Sequence, residues 1–382
     1  MGSHAPRMQT VRHLRVRGLA ASLVLLLSAC EGETSERGDP DQATRIEAAL
    51  ADQVDNGGPL ANLRAVLVSI DGQTVVEEYY DTAPEQHWAV QSVTKSIMST
   101  LVGIAVEDGT LHLDSTLAEL LPDRRQMMSE PVRSATLRQL LTMKAGFTEE
   151  EAPQEAWILH QSVAPVERAL KRATGPADFA YSNAGTQVLS AVLAEGTGSP
   201  VLDFARTKLF DPLGIKTRPA WERVGTSGSL PAWEQAAFAW PTDREGNHFG
   251  WGYMKLLPRD MLALGQLYLE GGTWQGQQLV SPDWVEAATT NQVRAEDGPF
   301  DGYGYLWWVG TLDGEDAAVA YGFGCQVIAV VPARDLVVAM VTELHLSEPP
   351  GPTTRGLAPG PCRTILESAV VRHVSSRPPH SG

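Results

Sequence analysis

Strand-like segments at both ends of this chain, with helical patterning between them, limit the fold more than any other feature. Leu63 to Ile70 and Thr74 to Tyr80, joined by a turn at Asp71-Gly72, read as a hairpin. Near the other end, Tyr305 to Val309, Ala317 to Tyr321, Gln326 to Val331 and Leu336 to Thr342 read as four more strands. Thr44 to Val54 and Arg363 to Val374 carry helical periodicity outside them, and Ser375 to Gly382 looks frayed. Val93 to about Ala295 is largely helical with long loops. The expected fold class is therefore α+β: an antiparallel β-sheet assembled from both chain ends and flanked by terminal helices, plus an all-α subdomain inserted at about residues 106–300. Residues 44–374 form one domain, a length ample for a full core.

Within that plan, Ser92-Val93-Thr94-Lys95 opens an apolar run, Ile97, Met98, Leu101, Val102, Ile104 and Ala105. The spacing of three puts Ser92 and Lys95 on one helix face, about a turn apart. Ser92 then lies at the positive helix terminus, where N–H groups can hold a developing oxyanion. A lysine taken out of water loses its charge readily, and a neutral amine can accept the serine proton. The bland alternative is a surface Ser and Lys on any first helical turn, but the apolar run leaves little polar face for a solvated lysine.

Two further segments supply partners. Tyr181-Ser182-Asn183 follows the turn-rich Gly175-Pro176 and Phe179. A tyrosine beside a lysine can pass a proton, and an asparagine can hold the amine and a carbonyl; alone, the tripeptide equally suits a helix cap. Ala320-Tyr321-Gly322-Phe323-Gly324-Cys325-Gln326 is a glycine-rich strand edge. Either backbone approaches a ligand there, with an N–H completing an oxyanion hole, or the strand carries a bulge. Trp251, Tyr253, Tyr303, Tyr305, Trp307 and Trp308 belong either to an apolar cleft or to the core.

Taken together, these motifs resemble the serine β-lactamase/penicillin-binding-protein superfamily, in its class C-like branch. That branch includes D-alanyl-D-alanine carboxypeptidases, family VIII esterases and 6-aminohexanoate-dimer hydrolases. Ser92 to Lys95 matches the first motif and Tyr181 to Asn183 the second. Thr136 to Gly146, Lys208 to Ile215, Pro258 to Met261 and Tyr303 to Trp308 match further segments, so the likeness spans roughly residues 44–374. The resemblance implies the β-lactamase/transpeptidase-like fold and a serine hydrolase with no cofactor and no metal. In it Ser92 is the nucleophile, Lys95 the base, Tyr181 the proton relay and Asn183 an orienting group. The N–H groups of Ser92 and Phe323 form the oxyanion hole, and Tyr321, Gly322 and Gly324 line the substrate. The third motif departs from the family: its Lys-Thr/Ser-Gly falls on Ala320-Tyr321-Gly322, removing the cation that grips a substrate carboxylate. The esterase and aminohexanoate branches lack the same lysine, so small-molecule esters or amides are the expected substrates. A weak carboxypeptidase or β-lactamase-like enzyme and a catalytically silent envelope binding protein are the alternatives.

Composition narrows the setting. Arg7, Arg12, Arg15 and Arg17 precede an apolar stretch, Leu19 to Leu27, too short to span a bilayer. Leu27-Ser28-Ala29-Cys30 then resembles a bacterial lipobox, which implies a signal peptide over residues 1–29, lipidation of Cys30 and a flexible tether over residues 30–43. An ordinary secretory signal with a chance cysteine is the alternative. Glu31 rather than Asp implies an outer-membrane destination in the cell envelope. Losing four arginines and no acid takes the formal charge from −16 to −20. Such an acidic body argues against nucleic acid as a partner, and the expected state is a monomer. Cys325 and Cys362 are either a disulfide in an oxidising compartment or two buried thiols. The nine histidines show no H-x-H or H-E-x-x-H spacing, which disfavours a zinc hydrolase. Gly225 to Ser229 misses the nucleophile-elbow pattern at its last position, and neither a phosphate loop nor a dinucleotide fingerprint occurs.

Overall fold

A computed structural model describes residues 40–55, 62–147, 165–222, 229–295, 298–344 and 359–375. The expected leader, Cys30, most of the expected tether and the residues after 375 lie outside these. The elements used below are α1 (Pro40–Asp55), β1 (Leu63–Ile70), β2 (Gln73–Tyr79), β3 (Trp88–Ala89), α2 (Val93–Glu107), α3 (Leu137–Leu141) and α4 (Asn183–Thr197). They continue with β4 (Ala220–Trp221), β5 (Phe238–Ala239), β6 (Lys255–Leu256), α5 (Pro258–Leu269), β7 (Thr273–Trp274), β8 (Gln277–Gln278), β9 (Val293–Arg294) and β10 (Gly302–Tyr303). The chain closes with β11 (Trp308–Leu312), β12 (Glu315–Gly322), β13 (Gln326–Val331), β14 (Leu336–Thr342) and α6 (Pro359–Ile365).

The two chain ends do form one sheet, ordered β2-β1-β14-β13-β12-β11-β10-β9 and antiparallel throughout. Its closure is the pairing of β1 with β14, from Leu63 opposite Thr342 to Ile70 opposite Leu336. Every residue of β13 and β14 is buried, as continuous apolar runs require, whereas edge strand β2 is largely exposed or half-buried. Strands buried on both faces need a layer on each. α5 and α2 supply one, and terminal α1 packs with the C-terminal helical segment to supply the other. Gly265 lets α5 approach closely: a Cβ there would lie 2.3 Å from Val337 Cγ1 and 2.8 Å from Ile328 Cγ2.

Four expectations change in detail. The inserted part is not purely helical. It holds a small sheet, β3-β6-β5-β4, and the β7–β8 hairpin, while α5 and β9 belong to the main sheet and its cover. α1 begins at Pro40, taking the last residues of the expected tether into a helix. The strand expected at Tyr305 to Val309 is instead two, β10 and β11, parted by a turn in which Leu306 has φ 61° and Gly304 N–H donates to Trp307 O. The C-terminal helix starts at Pro359 and loosens after Ile365 into wider and then tighter turns.

Gly265→Leu forces side chain into a contact already closed by Val337 and Ile328. It should cost about 1–3 kcal/mol and lower the thermal midpoint by several degrees in a calorimetric scan. An unchanged midpoint would contradict this packing of α5 on the sheet.

Candidate active site

The turn that delivers Ser92 is tightly specified. β3 joins the small sheet opposite β6, and Val90 N–H donates to Met254 O at 2.9 Å. Gln91, 4% exposed, then takes φ 49°, a left-handed conformation that is costly for a side-chain-bearing residue. Val93 and Thr94 N–H donate back to Val90 O and Gln91 O as α2 begins. Ser92 is the N-cap of α2 at φ −69° and ψ −4°, and its hydroxyl makes no capping bond. The hydroxyl meets Lys95 instead, whose Nζ donates to Ser92 Oγ at 3.0 Å. α2 is buried over nearly its whole circumference, and Lys95 is 1% exposed. Lys95 Nζ also donates to Asn183 Oδ1 at 2.6 Å and Trp251 O at 3.1 Å.

Both readings of Tyr181-Ser182-Asn183 hold at once. Ser182 caps α4, its hydroxyl accepting from Gly185 N–H at 3.0 Å, while Asn183 in the first turn of the same helix reaches Lys95. The Tyr181 ring lies 4.7 Å from Lys95 Nζ, stacked on Trp308 at 5.5 Å and edge-on to Tyr303 at 6.2 Å. Burial, with Tyr181 beside it, pushes the Tyr303 phenol well above its usual value, so that neighbour stays neutral. The approach to Tyr181 is braced by α3 and the residues after it. Ala180 N–H donates to Met143 O and Ala177 N–H to Lys144 O. Gly146 and Gly175 touch so closely that a Cβ on Gly146 would overlap Gly175 O.

β12 brings the third segment to the first. A Cβ on Gly322 would lie 2.5 Å from Val90 O and 3.2 Å from Gln91 Cβ, so this strand end abuts the turn into Ser92. Alternation puts Ala320 on the Gly322 face, fully buried, and Tyr321 on the opposite face, half-buried. Burial also raises the Tyr321 phenol above its ordinary value, which leaves no charge at the position where the resemblance expects a gripping hydroxyl. Phe323 follows at 40% exposure, the exposed large hydrophobic among the described residues. Gly324 and Cys325 then take φ 81° and 77°, and Cys325 is bonded to Cys362 of α6.

The structure therefore gathers Ser92, Tyr181 and Asn183 around the Lys95 Nζ, with Gly322 against the turn into Ser92 and Phe323 and Gly324 in the adjoining turn. The six aromatic residues weighed as cleft or core are at most 7% exposed and are core. Tyr305 spends its hydroxyl accepting from Arg138 Nη1 at 2.7 Å. Sequence reasoning missed the Trp251 carbonyl, since a backbone acceptor has no residue signature. It also missed the second buried lysine, Lys255, which is 4% exposed. Its Nζ donates to the carbonyls of Trp233, Glu234 and Ala236, and burial lowers it to about 8. Lys255 thus ties down a loop, while Lys95 is the amine on the serine.

Comparison with known proteins gives the family and the fold. Residues 63–358 match the Beta-lactamase family. The chain is 24% identical over 345 residues to the 6-aminohexanoate-dimer hydrolase of Paenarthrobacter ureafaciens, covering 83% of this chain and 77% of that one. It is 24% identical over 253 residues to the D-alanyl-D-alanine-carboxypeptidase/endopeptidase AmpH of Escherichia coli strain K12, covering 62% and 65%. The fold is shared with the D-amino acid amidase of Ochrobactrum anthropi, at TM-score 0.59 and 18% identity over 79% of this chain and 91% of the other. With residues 63–358 matched and this fold shared, the chain belongs to the Beta-lactamase family of serine hydrolases.

Proposed function

We propose that this chain is a lipid-anchored, secreted serine hydrolase that cleaves ester or amide bonds through an acyl-enzyme on Ser92. The observation that carries the reading is the buried Lys95 amine 3.0 Å from Ser92 Oγ. Lys95, in its uncharged form, takes the Ser92 proton as Oγ attacks the substrate carbonyl carbon. The N–H groups of Ser92 and Phe323 hold the oxyanion of the tetrahedral intermediate. Tyr181, stacked beside the amine, relays that proton to the leaving alcohol or amine as its bond to the acyl carbon breaks. Asn183 fixes the Lys95 amine from the far side. Water then attacks the acyl ester, its proton returns by the same route, and the free acid leaves with Ser92 restored.

The substrate class follows from what surrounds the third segment. Ala320 is buried and uncharged where a carboxylate-gripping lysine would stand, so neutral acyl groups suit the site better than penicillins or peptides ending in D-alanine. The likeness to a 6-aminohexanoate-dimer hydrolase supports an amide or ester rather than a β-lactam. Anchoring through lipid on Cys30 would hold a monomeric domain at the bacterial envelope, which the basic segment, short apolar stretch and small residues before Cys30 support.

Ser92→Ala should lower kcat on a short-chain aryl ester by about 10³-fold or more while thermal stability is kept; retained turnover would place the nucleophile elsewhere. With the base acting unprotonated, kcat/KM should climb with pH towards a plateau, and a rate independent of pH would exclude Lys95 from proton transfer. Side by side, kcat/KM for a neutral aryl ester should exceed that for a cephalosporin by at least about 100-fold, the value of a lost charge-assisted hydrogen bond or two. Equal efficiencies would refute the assignment of a neutral substrate.

A further inference from the structure

The turn between β12 and β13 holds the backbone N–H assigned above to the oxyanion, and an unusual set of restraints converges on it. Gly322 pairs with Gln326 across the turn, and Cys325 N–H donates to Gly322 O at 3.1 Å. Between them, Gly324 and Cys325 are two consecutive left-handed residues. Glycine adopts that conformation freely; cysteine does so only when something else fixes it. On one side the fixing comes from β14. The Thr342 hydroxyl donates to Gly324 O, and Gln326 exchanges hydrogen bonds with the Thr342 backbone at 3.0 and 3.2 Å. On the other side Cys325, fully buried, is covalently joined to Cys362, also fully buried, in α6. That helix is itself anchored, since Arg363 Nη2 donates to Thr311 O and the guanidinium lies 5.1 Å from the Phe300 ring.

We propose that the Cys325–Cys362 disulfide is a positioning element for catalysis: by holding Cys325 in its left-handed conformation it aims the Phe323 N–H at the oxyanion. The proposal rests on the acyl-enzyme reading above. The physical argument is one of geometry. Phe323 is 40% exposed, and the direction of its N–H is set by the peptide it shares with Gly322, whose carbonyl accepts from Cys325 N–H. On the Gly322 side that direction is set by contact with Val90 and Gln91. On the Cys325 side it is set by the disulfide and by the bonds of Thr342. Removing the disulfide frees φ of Cys325 to return to negative values, which rotates the peptides of the turn. An oxyanion donor is worth about 10²–10³ in kcat when removed outright, and displacement by about an ångström forfeits a large part of that. The binding of the ground-state substrate, which does not bear the negative charge, is affected far less.

The distinguishing readout is therefore kcat against KM. Cys362→Ser, a change in α6 rather than in the turn itself, should lower kcat on an aryl ester by at least about tenfold while KM changes by less than about threefold and the circular dichroism spectrum is retained. The wild-type protein treated with a water-soluble phosphine gives the same comparison without a substitution. The phosphine is oxidised to its oxide with oxygen from water, and the two sulfurs leave as thiols carrying the two protons of that water. Loss of kcat should then follow the appearance of two free thiols. A folded protein with both thiols free and full kcat would overturn the proposal, as would a disulfide-free protein that loses only thermal stability. The rate of fluorophosphonate adduct formation at Ser92 separates this inference from the reading beneath it. Equal rates in oxidised and reduced protein defeat the positioning role alone. Absence of any adduct at Ser92 in the oxidised protein defeats the acyl-enzyme reading and the positioning role together.

Discussion

A buried amine held on three sides is the interaction on which the rest of the site depends. Lys95 donates to a hydroxyl on its own helix, an amide on α4 and a backbone carbonyl at Trp251, so three segments far apart in sequence must meet at one nitrogen. Taking an amine out of water is costly unless its polar contacts are replaced, and these three oxygens replace them. The arrangement also fixes direction. Lys95 cannot swing away without giving up its hydrogen bonds to Asn183 Oδ1 and Trp251 O, so the amine stays on Ser92 Oγ.

The fold creates that meeting point through closure of the sheet. Pairing of β1 with β14 joins the two ends of the chain, which places β12 and the strands beside it under α2. Contacts without side chains then set the fine positions: Gly322 against Val90, Gly146 against Gly175, and Gly265 against the sheet. At each, a methyl group would push apart two elements that the site needs together. Two of the left-handed residues lie at these places. Gln91 precedes Ser92 and Cys325 lies in the turn of the third segment, each held by neighbours in hydrogen bonds or a covalent link.

Sequence reading recovered some elements to the residue and missed others, for physical reasons. Leu63–Ile70, Gln326–Val331 and Leu336–Thr342 are apolar runs of six to eight residues ended by turns, and such runs have nowhere to go but a doubly covered sheet. The small sheet was invisible because strands of two residues carry no periodicity. The start of α1 was read four residues late, although Pro40 and Asp41 suit a first turn. Tyr305 to Val309 looked like strand because it is largely aromatic, yet Leu306 turns the chain and the strand starts only at Trp308. In the site, the serine, lysine, tyrosine and asparagine could be read because their chemistry lies in side chains at fixed spacing. The Trp251 carbonyl could not, and the disulfide stayed open between two alternatives, because both depend on distances that no spacing encodes.

The central claim is that Lys95 acts by taking the Ser92 proton and passing it on, rather than by holding a buried positive charge beside Ser92. Single-turnover acylation in Lys95→Arg separates the two, because a guanidinium keeps its charge and its hydrogen-bond donors but does not lose its proton at any working pH. The account predicts that Lys95→Arg acylates Ser92 as slowly as Lys95→Ala. Acylation near the wild-type rate in Lys95→Arg, with Lys95→Ala inactive, would contradict it and make the residue an electrostatic anchor instead of the base.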